Sequence, residues 1–189
     1  MKKLAVIFPG IGYTCQKPLL YYLIKWLKSM SYNVMELDYT ALGKEGLRGN
    51  TELIKKAVQE GVDIFKRNHG MEAVNNADQV ILIGKSIGSA VASYLYNDFS
   101  VDNKKKTQLI LLTPLEETLE GVLPESCLVI HGNRDPWAKT ERIQRLCKRK
   151  GANLQIIDKG NHSLETGNIE QDMQNHFQIV HRIIAQLKR

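Results

Sequence analysis

"QVILIGKSIGSAVASYLY", residues 79–96, runs from an apolar, β-branched segment through Gly84-Lys85-Ser86 into a stretch with helical spacing. Two readings of it compete, and they give different proteins. A phosphate-binding loop needs G-x-x-x-x-G-K-[ST], because glycine-rich backbone must wrap the phosphates with its N–H groups before the helix begins. The first glycine of that pattern falls at position 79, which is Gln79. Residues 80–83 then read as a buried strand, with no loop in which to hold a phosphate. The same letters also spell Gly84-x-Ser86-x-Gly88, with a strand before and a helix after. That is the setting in which a sharp turn presents a serine as a nucleophile.

On either side of this turn, short apolar runs alternate with helical patterns. The runs are residues 4–8, 33–37, 80–83, 109–112, 128–130 and 154–157. Such alternation predicts βαβ units and a parallel sheet covered on both faces, an α/β three-layer sandwich. A helix over 18–30 starts with Pro18, whose fixed φ suits the first helical position. A second, over 51–67, carries Ile54, Val58, Val62 and Phe65 on one face. In the last segment Met173, Phe177, Val180, Ile184 and Leu187 recur at spacings of four and three, a stripe predicted to pack on the sheet. There is no repeat, no low-complexity tract and no linker. The 189 residues fit one domain, able to bury roughly 70% of the unfolded chain's surface.

The net charge of +6, with runs at Lys104-Lys105-Lys106 and Lys148-Arg149-Lys150, raises the question of nucleic acid. These runs fall between elements or at a helix end, where cations are solvated and favoured by the helix dipole. No aromatic residues interleave with them to stack bases, so no nucleic-acid partner is expected. Cys15, Cys127 and Cys147 are odd in number and widely spaced, which suits neither a disulfide framework nor a zinc site. A reducing compartment and no bound metal follow as expectations. Met1-Lys2-Lys3 and the apolar run after it imitate a signal peptide, but Pro9-Gly10 cuts that run short. It reads as a first strand in a cytoplasmic protein. No apolar run approaches the ~20 residues of a membrane span.

Open parallel sheets place their sites beyond the carboxyl ends of the strands. Each informative motif here follows a strand: "FPGIGY" at 8–13, "GKSIGS" at 84–89, "HGNRDPW" at 131–137 and "DKGNHSLE" at 158–165. The last three supply, in chain order, Ser86, Asp135 and His162. On these residues the chain resembles the α/β-hydrolase superfamily over nearly its whole length, and the order Ser, Asp, His is the one that superfamily uses. The resemblance implies a six-stranded sheet in the order 2-1-3-4-5-6, without the antiparallel beginning of larger members. Larger members often insert a cap after the strand preceding the acid strand. Here that connection is residues 113–126, "TPLEETLEGVLPES", long enough for one short helix bearing Glu116, Glu117 and Glu120. Residues 1–189 therefore read as one α/β-hydrolase domain without a cap.

Acyl-transfer chemistry assigns the roles. A serine hydroxyl is a poor nucleophile until an imidazole takes its proton, so Ser86 needs His162. The imidazolium then needs an anion at its other nitrogen, assigned to Asp135. Gly84 and Gly88 are small because larger side chains would collide across the turn. The oxyanion needs two preorganised donors. One is the backbone N–H of Ile87, at the helix N-terminus. The other is the N–H of Ile11, in the loop after strand one, where Pro9-Gly10 stands in place of the His-Gly-x often found in the family. Gly10, Tyr13 and Lys85 are candidate pocket residues. Lys85 is read as facing the open turn, either steering an acidic substrate or simply solvated. Tyr13, Thr14 and Cys15 either line an acyl pocket or begin the next helix; Cys15 shows no base partner and is not taken as the nucleophile.

Plainer readings stand beside these. Ser86 can be a helix N-cap, and Asp135 before Pro136 can open a turn or cap the helix from Thr140. Asp158 is a rival acid, and His162 can be a surface histidine. His131 reads as structural and bonded to backbone; His69, His176 and His181 read as solvent or helix-face residues. The function these residues imply is a serine hydrolase of a small carboxylic ester or thioester, acting through an acyl-enzyme with no cofactor. The alternative is a non-catalytic binding protein on the same fold. A nucleotide-binding domain has less support: "GIGYTC" lacks the third glycine of G-x-G-x-x-G, leaving Asp38 at the end of strand two as its one feature.

Overall fold

The computed structural model of the chain describes residues 1–39 and 46–188. Strands β1 (Lys3–Phe8) and β3 (Gln79–Lys85) lie at its centre and pair in parallel, with Ile7 opposite Ile83 and Phe8 opposite Gly84. β2 (Asn33–Glu36), β4 (Thr107–Leu112), β5 (Leu128–Gly132) and β6 (Asn153–Ile157) complete a six-stranded sheet in the order β2-β1-β3-β4-β5-β6, every pairing parallel. The central strands are almost wholly apolar because both their faces are covered. Successive side chains alternate: Val80 and Leu82 enter one core layer, Ile81 and Ile83 the other.

Helices α2 (Thr51–Arg67), α4 (Ile87–Asp98) and α6 (Thr140–Lys150) cover the first face; α1 (Pro18–Ser29) and α7 (Ile169–Leu187) cover the second. α1 begins with its proline and buries Leu19, Leu20, Leu23, Ile24 and Leu27, the spacing of one helical face. Two short helices, α3 (Gly70–Asn76) and α5 (Val101–Lys105), are additions to the sequence reading. The connection from β4 to β5 carries one 3₁₀ turn, Glu116–Leu119. Both basic runs lie at helix C-termini, where Lys104 donates to the Asn97 carbonyl and Arg149 pairs with Glu120.

The stripe expected of α7 holds at Leu187 and in part at Val180, and is out of phase in the N-terminal half of the helix. Met173 and Phe177 are 69% and 71% exposed, and the buried face is Asn175, Ile179, Ile183, Gln186 and Leu187. Val180 is only partly buried against that core. Two polar residues turn inward with that face, each partly satisfied: Asn175 Oδ1 accepts from Gln171 and Gln186 Nε2 donates to the Ser126 carbonyl, while Asn175 Nδ2 and Gln186 Oε1 meet no partner among the described residues. No helix among the described residues is long and apolar enough to cross a membrane.

Candidate active site

The turn that joins β3 to α4 sits at the carboxyl end of the central strand, where an open parallel sheet presents its crevice. Ser86 occupies it with φ 56° and ψ −122°, a conformation costly for any residue with a Cβ. The surroundings hold it there. The Ser86 N–H continues the sheet ladder to the Leu112 carbonyl at 2.9 Å. The Ser89 hydroxyl donates to the carbonyls of Gly84 and Leu112 at 2.8 and 3.0 Å. A Cβ on Gly84 would come within 2.5 Å of the Gly88 carbonyl oxygen, and one on Gly88 within 2.5 Å of the Pro9 carbonyl oxygen. Both glycines are therefore required by close backbone approach.

The structure brings Ser86, His162 and Asp135 into one chain of hydrogen bonds. Ser86 Oγ lies 2.6 Å from His162 Nε2, and His162 Nδ1 lies 2.8 Å from Asp135 Oδ2. A carboxylate has no proton to give, so Nδ1–H donates to Asp135 and Nε2 is left to accept from the serine hydroxyl. The Asp135 side chain is wholly buried and the His162 side chain is 23% exposed. Asp135 also opens a turn, as its plainer reading had it: its Oδ1 accepts the Trp137 N–H at 2.8 Å, which aims Oδ2 at the imidazole. Asp135 does not cap the helix after it, whose N-cap position is Lys139, with no side-chain cap bond. The loop bearing His162 is anchored by the Arg134 N–H on the Gly160 carbonyl and by Asn161, whose side chain accepts from Ser163 and Glu165. The Trp137 ring stacks on His162, 5.4 Å between centroids. Burial holds the imidazole pKa below its ordinary value; the bond to Asp135 opposes that shift and Lys85 adds to it.

The other candidates separate clearly. Asp158, the rival acid, is exposed and accepts from Asn133 at 2.9 Å instead. His131 is fully buried with its Nε2 on the Thr140 hydroxyl at 3.0 Å, a side-chain partner where a backbone one was expected. His69 is exposed, His181 is exposed on α7, and His176 is half-buried there. Cys15 is buried, its thiol on the Leu37 carbonyl, and burial pushes its pKa up to about 12. Such a thiol makes a poor nucleophile.

Lys85 corrects the sequence reading outright. It is 1% exposed and does not face the open turn. β3 runs two residues further than expected, so Lys85 follows Ile81 and Ile83 into the core beneath the serine. Its Nζ donates to the Thr113 hydroxyl and to the His162 carbonyl, each at 2.6 Å, and lies 4.8 Å from the centre of the Tyr13 ring. Tyr13 is buried in the same layer, so neither residue is positioned to contact a substrate. The contributions of Thr113 and Trp137 had no signal in the sequence. That of Lys85 did, in the continued alternation 81, 83, 85.

Gly10 is buried, with its missing Cβ 3.3 Å from Ser86 Cβ, and it closes a tight turn with Tyr13 through two backbone hydrogen bonds of 3.0 Å. This turn contains Ile11, and Ile87 is the first residue of α4. Among the described residues the N–H groups of Ile11 and Ile87 donate to no backbone or side-chain acceptor.

A parallel sheet in this order, flanked on both faces and with a strained serine on the turn after its central strand, defines an α/β-hydrolase fold. The chain belongs to that family: residues 2–188 match the alpha/beta hydrolase domain. It is similar in structure to a putative hydrolase of the alpha/beta superfamily from Xanthomonas campestris (15% identity, TM-score 0.66, 94% of this chain and 98% of that one). A serine hydrolase without lid from the same species aligns at 13% identity and TM-score 0.63, over 98% of this chain and 81% of that one. The Pyrococcus furiosus esterase Pf2001 aligns at 18% identity and TM-score 0.64, over 100% and 83%. At such identities the likeness is one of fold. No curated protein matches the chain significantly in sequence.

Proposed function

We propose that the protein is a serine hydrolase of small carboxylic esters or thioesters that works through an acyl-enzyme. The observation that carries this reading is the continuous hydrogen-bonded path from Ser86 Oγ through His162 to Asp135, starting on a serine held at φ 56°. In the first half-reaction Ser86 Oγ attacks the substrate carbonyl carbon while its proton passes to His162 Nε2. Asp135 keeps Nδ1 protonated and stabilises the imidazolium that forms. The N–H groups of Ile11 and Ile87 take the negative charge that develops on the carbonyl oxygen. The C–O or C–S bond then breaks, His162 protonates the leaving group, and the acyl chain stays on Ser86. In the second half-reaction water, deprotonated by the same imidazole, releases the acid and restores the serine. No step requires a cofactor.

The hydrolase reading draws further support from the family to which the chain belongs and from its esterase and serine-hydrolase neighbours. The small-substrate reading rests on the connection between β4 and β5, too short for a cap. Turnover of p-nitrophenyl acetate by the wild type, lost in a folded Ser86→Ala variant, is the expected result. A Ser86→Ala variant that retains wild-type turnover contradicts the reading, and a wild type without turnover favours a non-catalytic binding protein on this fold.

A further inference from the structure

A buried lysine directly under a candidate nucleophile calls for a physical account, because burying an ammonium is costly unless every donor is met. Lys85 meets its three. One N–H goes to the Thr113 hydroxyl, one to the His162 carbonyl, and the third side of the ammonium faces the Tyr13 ring. These partners come from three separate connections, those after β4, β6 and β1. Thr113 is itself held at φ 43°, which places its hydroxyl at the ammonium. The bond of greatest consequence is the one to His162, since it grips the backbone of the residue whose imidazole must stay 2.6 Å from Ser86 Oγ.

We propose that Lys85 is a positioning residue: its ammonium ties the backbone of His162 to Thr113 and so fixes the imidazole on Ser86. The inference rests on the hydrolase reading above for its catalytic consequence, but the Lys85–His162 link can be measured without turnover. The cation has a second effect on its neighbour. The groups that face it or act on it are the buried Asp135 carboxylate, the half-buried Glu165 carboxylate, the Tyr13 phenol and the His162 imidazole, with His131 also interacting with Asp135 and His162. Toward His162 the ammonium acts as a like charge, favouring the neutral imidazole that can accept the serine proton. Burial brings the pKa of Lys85 itself down to about 7, opposed by Asp135 and Glu165.

The test compares wild type with Lys85→Met, which keeps the length of the side chain and removes its donors and charge. NMR titration of the His162 ring is expected to show a pKa raised on the order of one unit in Lys85→Met, as for loss of a like charge at short range. The rate of fluorophosphonate labelling at Ser86 is expected to fall about 10²-fold, the scale of a misplaced catalytic group, and its acid limb to move to higher pH. Should Lys85→Met fail to fold, Thr113→Val, which removes one anchor of the ammonium, is expected to shift both readouts in the same direction by less. A folded Lys85→Met with an unchanged His162 pKa and labelling rate overturns the proposal. A wild type that does not label at all overturns the hydrolase reading instead, and the NMR titration then still decides whether Lys85 controls His162.

Discussion

Gly88 packs so closely on the end of β1 that a methyl group at its Cα would overlap the Phe8 carbonyl oxygen. The start of α4 thus rests directly on the chain leading into the Gly10 turn. Gly88→Ala must push two backbone segments apart, since no flexible side chain is there to yield. The expected result is a loss of about 1–3 kcal/mol in stability, as for overpacking at a tight site, together with slower labelling of Ser86 because the turn that carries it is displaced from the Gly10 turn. Denaturant unfolding and labelling kinetics on the same sample measure both; a variant that keeps wild-type stability and rate shows the contact to be slack.

Asp135 and Asp158 make opposite forecasts. Asp135→Asn preserves the shape of a wholly buried side chain but offers an amide to Nδ1, favouring the wrong imidazole tautomer. Turnover is expected to fall about 10²–10⁴-fold with the fold intact. Asp158→Asn changes an exposed carboxylate bonded to Asn133 and to the Lys159 backbone, away from the imidazole, and it should stay within about twofold of wild type. The reverse ranking in kcat/KM would move the acid role to Asp158.

The pH profile has a definite sign. His162 must be neutral to accept the serine proton, and burial holds its pKa below the ordinary imidazole value of ~6.5. Activity is thus fully present above that value and lost as pH falls through the depressed pKa. kcat/KM measured from pH 4 to 8 (assay values chosen around the ~6.5 reference) is expected to show an acid limb centred below ~6.5. A limb centred above ~7 contradicts the buried, neutral imidazole.

Substrate length is open to the same kind of test. Along α4, one turn past Ser86, runs a groove of about 450 Å³ whose apolar residues Ile54, Val58 and Leu115 are rimmed by Lys55, Gln59 and Glu117. No capping element closes over it among the described residues. Burial rewards chain length at about 0.8 kcal/mol per CH₂ only where the chain is enclosed. A p-nitrophenyl ester series should therefore peak at short acyl chains. A maximum at about C10 or above would reveal an enclosed acyl site and overturn the small-substrate reading.

How far the molecule was legible depended on whether a local pattern or a tertiary contact decided the matter. The strand-turn-helix at 79–96 and the motifs after β5 and β6 are local, and the family's order of Ser, Asp and His led from them to the residues that meet in space. The phase of α7 is not local: two apolar rows compete on that helix, and the row that turns inward is the one that packs on the sheet and carries Gln186 to the Ser126 carbonyl, 60 residues away in sequence. Lys85 was misread because charge was weighed above alternation, although 81, 83 and 85 share one face of β3. The Trp137 stack on His162 joins two loops, and nothing in either loop announces the other.

The most direct measurement is the intact mass of the protein after treatment with a fluorophosphonate, followed by peptide mapping. One equivalent of adduct on Ser86, absent from Ser86→Ala and strongly slowed in His162→Ala, is the predicted result, because only a serine relieved of its proton by that imidazole attacks phosphorus at a useful rate. A folded protein that takes up no label, or takes it up at a residue other than Ser86, contradicts the assignment of this site as a serine nucleophile with His162 as its base.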